Sequence, residues 1–109
     1  MNRYEVDLHI SSPKHVVRCI QSIRQCFGLG LKDAKDLFDS IRDNNFTPVR
    51  IIINADQYLA VEHGTYAYTN YESAPYYYNS YIYLSGLEIL PDRPPILDVS
   101  ANAQKKQTL

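Results

Sequence analysis

The chain has no tryptophan, one methionine and two cysteines, and its 11 basic and 12 acidic residues leave a formal net charge of −1. Each shortage excludes something. Near-neutrality gives no global electrostatic pull toward nucleic acid or anionic lipid, so any charged recognition face has to be local. Cys19 and Cys26 fall in what reads as one helix, about 10 Å apart along its axis and beyond the reach of a disulfide. They are expected as small core or semi-buried thiols rather than a redox pair. Apolar runs such as Ile51-Ile52-Ile53 are far shorter than the roughly 20 residues that span a bilayer. Met1-Asn2-Arg3-Tyr4-Glu5 carries no signal-peptide apolar region, so no membrane association is expected and the expected compartment is the cytoplasm.

What is present fits an ordinary folded protein, with 45% hydrophobic and 21% charged residues. A chain of 109 residues holds one hydrophobic core and not two. The skewed residue is tyrosine: nine of the ten fall between Tyr58 and Tyr83. That clustering divides the chain into a first part with ordinary patterning and a Tyr-rich extension.

Residues 4–10 alternate, with Tyr4, Val6, Leu8 and Ile10 on one face and Glu5, Asp7 and His9 on the other, the period of a half-buried strand. Ser12-Pro13 is a helix-start signal, and the spacing predicts a first helix over 13–27 with an apolar stripe of Val16, Ile20, Ile23 and Phe27. Gly28-Leu29-Gly30 then turns the chain, because glycine takes the left-handed conformation that ends a helix. Were the φ of Gly30 positive, a β-branched residue there would be strained. A second helix is predicted over 31–43, burying Ala34, Leu37, Phe38 and Ile41, with Lys32–Asp36 and Lys35–Asp39 as surface pairs. Asn44 and Asn45 are its expected stop.

Val49-Arg50-Ile51-Ile52-Ile53 reads as a buried strand, and Asn54 as the cap of a short helix over 55–63 closed by Gly64. Residues 65–71 alternate like a further strand, 72–75 turn, and 81–84 read as another strand with Ile82 and Leu84 inward. The Pro-containing and polar stretch over 91–109 is expected to order only if something holds it.

The string Cys-Phe-Gly-Leu-Gly-Leu-Lys-Asp-Ala-Lys-Asp-Leu, Cys26 to Leu37, resembles the signature of the C-terminal domain of the bacterial ribosomal stalk protein, the L seven/L twelve family. The order strand, helix, helix, strand, short helix, strand over 4–71 is similar too. The resemblance implies an α+β, Clp-adaptor-like fold, β-α-α-β-α-β, with a helix hairpin packed on a small sheet and here an extra C-terminal strand. Its division would be a stalk-like domain over 1–72, a Tyr-rich extension over 73–90 packed on it, and a tail over 91–109. In that family the two-helix face recruits translational GTPases without catalysis of its own. Carried over residue by residue, the partner-binding set is Val17, Ile20, Gln21 and Arg24 of the first helix with Leu31, Lys32, Asp33 and Lys35 of the second. Two positions usually Lys in the family are Val16 and Gln21 here, removing positive charge from the face. The family's N-terminal dimerisation segment and hinge have no counterpart before Tyr4, so a stand-alone mimic or adaptor is expected rather than a stalk subunit.

Other chemistry is weakly signalled. Gly28 and Gly30 lack the third glycine and the Lys-Ser/Thr ending of a phosphate loop. His9, His15 and His63 show no metal-ligand spacing, and no Ser-His-Asp or Cys-His arrangement is suggested by local spacing. No catalytic residue, metal, cofactor or small-molecule substrate is therefore expected. Tyr66, Tyr68, Tyr81 and Tyr83 could fill a core edge, form a protein interface or stack on bases. The absence of Lys or Arg between Tyr66 and Tyr83 disfavours nucleic acid. The expected partner is a translational GTPase or related factor; the alternative is a Clp-type protease adaptor, or another interaction module using the Tyr-rich surface.

Overall fold

The alternation at the start of the chain sets the frame of the molecule, whose computed structural model describes residues 3–62, 81–87 and 93–102. Strand β1 (Tyr4–Ile10) pairs antiparallel with β2 (Val49–Ile53), placing Val6 opposite Ile51 and Leu8 opposite Val49. Its other edge pairs antiparallel with β3 (Ile82–Ser85), with Ile10 opposite Ile82. β2 takes the two-residue β4 (Leu97–Asp98) in parallel, so the strand order is β3-β1-β2-β4. Among the described residues the protein is thus α+β, with three helices and a mixed four-stranded sheet. The expected strand over 65–71 and the turn over 72–75 lie outside the described residues, as do His63 and Gly64 of the third helix's predicted end.

Helices α1 (Val16–Phe27), α2 (Leu31–Arg42) and α3 (Ala55–Glu62) share one core with the inward side chains of the sheet. Val6, Leu8, Ile51, Ile53 and Ile82 meet Ile23 and Phe27 of α1, and Leu37, Phe38 and Ile41 of α2. The second helix buries the four residues its spacing predicts. Both cysteines are buried and free, as expected. Burial pushes the Cys26 thiol up to about 12, since a thiolate cannot be solvated there.

Three expectations need correction. The first helix begins at Val16, not Pro13, because Ser12-Pro13 starts a tight turn instead: the His15 N–H donates to the Ser12 carbonyl at 3.0 Å. A proline's fixed φ suits the second position of a β-turn as well as the first of a helix. Val16 is accordingly 38% exposed, and the buried arc of α1 runs through Cys19, Ile20, Ser22, Ile23, Cys26 and Phe27. The left-handed glycine of the turn is Gly28, at φ 71°, whereas Gly30 has φ −70° and ψ 170°. Finally, the half-buried strand expected over 4–10 is covered on its second face too at Asp7, which is buried against Arg50.

Candidate functional site

On α1, Val17, Ile20, Gln21 and Arg24 follow one another at helical spacing, so they form a single stripe. The structure places them unequally. Val17 is 78% exposed, Arg24 is exposed and Gln21 half-buried, but Ile20 is 8% exposed and belongs to the core. The stripe ends where Gly28 donates its N–H to Arg24 O at 2.8 Å and Leu29 does the same at 3.2 Å. Those bonds satisfy carbonyl groups that a helix end otherwise leaves without partners. The chain then enters α2 through Gly30, whose carbonyl accepts the Ala34 N–H at 3.0 Å. This brings Leu31, Lys32 and Asp33 into the first turn of α2 directly after the loop.

Leu31 is 59% exposed, a large aliphatic side chain left on the surface beside charged neighbours. Lys32 Nζ donates to Asp36 at 3.1 Å and Lys35 Nζ to Asp39 at 2.8 Å. The hydrogen bond to Asp36 raises the Lys32 pKa, so this ammonium stays charged. Asp39 also meets Arg42 at 3.1 Å, and Lys35 holds its carboxyl below the ordinary range. Exposed pairs of this kind add little stability. Arg24 has no ion pair among the described residues and is the uncompensated cation of the stripe. The hairpin therefore carries two exposed aliphatic groups, Val17 on α1 and Leu31 on α2, together with Arg24 and the Lys32–Asp36 and Lys35–Asp39 pairs.

A second polar constellation lies on the face of β1 turned away from the helices, and the spacing of Glu5, Asp7 and His9 marked its position without its chemistry. Asp7 Oδ1 accepts from Arg50 Nη1 at 3.2 Å, and Asp7 Oδ2 from Arg93 Nη1 at 3.2 Å. Arg50 Nη2 also donates to Glu5 O, and Arg93 Nη2 to Pro48 O. His9 stacks on Tyr83 with ring centroids 4.4 Å apart, and its Nε2 lies 2.6 Å from Ser85 Oγ. Burial lowers the His9 pKa, with Asp7 opposing and Arg93 assisting. Both Asp7 oxygens are committed to guanidinium groups, so this Ser–His contact is a ladder contact next to an ion-pair cluster. Among the described residues no group of three acidic, His or Cys side chains could hold a metal ion, and no helix is long and apolar enough to cross a membrane.

These features define a small α+β protein with a helix hairpin standing on a mixed sheet. No protein-family model, curated protein or solved structure matches the chain.

Proposed function

We propose that this chain is a non-catalytic protein-binding module whose α1–α2 hairpin engages an acidic partner surface, as the ribosomal stalk domain it resembles engages translational GTPases. A stand-alone mimic or adaptor of that kind acts by occupying the partner, with no cofactor and no bond broken. The observation that supports the reading is the exposure of Val17 and Leu31 beside Arg24, Lys32 and Lys35. Exposed aliphatic side chains on a hairpin whose polar groups include Arg24, without an ion pair among the described residues, and the Lys32–Asp36 and Lys35–Asp39 pairs offer a protein both apolar and charged contacts. Ile20, being buried, supports the patch from below rather than touching the partner.

The test is affinity capture from bacterial lysate, with retained proteins identified by mass spectrometry, using the wild-type chain, Lys32→Glu/Lys35→Glu and Tyr83→Ala. Each reversal replaces an i,i+4 attraction by a repulsion and should cost about 0.5–1 kcal/mol of folding stability, yet the pair should weaken binding to an acidic surface by roughly ten-fold or more. Capture of a translational GTPase that is lost with the double reversal and kept with Tyr83→Ala is the expected result. A Clp-type unfoldase in its place would assign the protease-adaptor role. Loss only with Tyr83→Ala would move the interface to the His9–Tyr83 face, where Tyr83 is 48% exposed.

A further inference from the structure

Of the stretch over 91–109, expected to order only if something holds it, residues 93–102 are described, and the structure identifies their holders. The Ile96 N–H donates to Arg50 O at 2.8 Å and the Val99 N–H to Ile52 O at 2.9 Å, so the segment is strapped along the outer edge of β2. Val99 is 2% exposed and reaches the core. At the far end the strap meets two polar residues of the α3 N-terminus. Asn54 Nδ2 donates to Ser100 O at 3.0 Å and to Asn102 O at 3.3 Å. Gln57 is fully buried, and its Nε2 donates to Val99 O at 2.8 Å and also to Phe27 O at 3.1 Å.

The strap closes on α1 as well: Asn102 Nδ2 donates to Phe27 O at 3.0 Å and to Gly28 O at 3.4 Å. Phe27 and Gly28 are the last residue of α1 and its left-handed cap, where carbonyls need donors from outside the helix. A second contact lies further along, where Ile96 and Leu97 of the strap line a groove of about 280 Å³ with Leu29 and Asp33 of the hairpin.

From this geometry we infer that the strap is the positioning device of the hairpin turn, and that Asn102 and Gln57 are the residues through which it acts. By donating to the carbonyls at the end of α1, Asn102 to those of Phe27 and Gly28 and Gln57 to that of Phe27, they hold the point from which the turn carries Leu31, Lys32 and Asp33 into α2. The inference deepens the partner-binding reading, because it assigns the control of that face to the C-terminal segment. A ligand or modification that draws the strap from β2 would loosen the face without touching it.

Amide hydrogen exchange followed by NMR on the whole chain, with no partner present, tests it in Asn102→Ala and Asn102→Asp. Asn102→Ala deletes the donations to Phe27 O and Gly28 O, and should accelerate exchange at Gly28, Leu29 and Ala34 roughly five-fold or more. The isosteric Asn102→Asp change removes the donor and sets a carboxylate against two carbonyls, so its acceleration should be larger. The Cys19 amide, bonded to His15 O at the other end of α1, should be unaffected. Unchanged turn amides with a loosened Ile96 and Val99 would overturn the inference, and so would equal acceleration everywhere, which signals global destabilisation. No partner enters this readout, so its failure is separate from failure of the charge-reversal experiment.

Discussion

Gly28 carries the only backbone conformation in the hairpin turn that a side chain would resist, since L-residues in the left-handed region cost roughly 1–2 kcal/mol. Its φ of 71° is matched by the carbonyl contacts on either side of it, whereas Gly30 at φ −70° has nothing within 4 Å of an added Cβ. The two glycines should therefore respond oppositely in urea denaturation. Gly28→Ala is expected to lower stability by about 1–2 kcal/mol. Gly30→Ser should raise it by about 0.5 kcal/mol, because serine caps a helix N-terminus slightly better than glycine and restricts the unfolded chain. Equal losses at both positions would contradict the described turn. From the residues alone Gly28 and Gly30 were equivalent, as either could have supplied the left-handed step. Which one does so depends on where α1 stops burying side chains, and that is set by the sheet beneath it.

At the scale of elements, β1 and β2 are half-buried strands on one face and carry a covered ion-pair cluster on the other. Arg50, 2% exposed, lies opposite Asp7 in the ladder, and the chain at Gly86 passes so close that an added Cβ would stand 2.9 Å from Asp7 Oδ2. Removing one partner of such a pair leaves the other charge buried, so Asp7→Leu should cost about 3–5 kcal/mol. The double variant Asp7→Leu/Arg50→Leu should lose much less than the sum of the single losses. Strict additivity in chemical denaturation would mean that the two side chains do not interact. The alternation of residues 4–10 was legible in sequence, but the burial of Asp7 was not. Its cover comes from Arg93, 86 positions away, and from the Gly86 backbone. The N-terminal box of α3 was half-legible. Asn54 was recognisable as a cap, and the Asn-x-x-Gln spacing to Gln57 could have completed it, since Asn54 N donates to Gln57 Oε1 while Gln57 N donates to Asn54 Oδ1.

For the whole molecule, the shifted groups define a window of stability in pH. His9 is depressed below its ordinary 6.5, chiefly by burial. Its contribution is complete above that value and is lost as pH falls through the folded one, where the imidazole must charge in a half-buried place near Arg93. Cys26 is shifted the other way, from 9.0 to about 12, so its contribution is complete below pH 9 and declines between 9 and about 12 as the unfolded thiol ionises. Thermal melts across pH should fall on both flanks. His9→Gln should flatten the acidic limb just below 6.5, and Cys26→Ala the alkaline limb, each leaving the other unaltered.

Sequence by itself determined the helical hairpin, its buried stripe on α2, the central strands and the two buried thiols. Local periodicity and a glycine turn decide which way those elements face, and any partner sheet would have to meet the same apolar stripe. Only the tertiary structure decided that Asp7 is shielded, and that residues 93–102 strap β2 and tie off the end of α1. Each of those depends on a contact between residues far apart in the chain. A two-residue edge strand and one asparagine side chain carry no local pattern, and acquire their roles from the carbonyl groups that the finished fold sets in front of them.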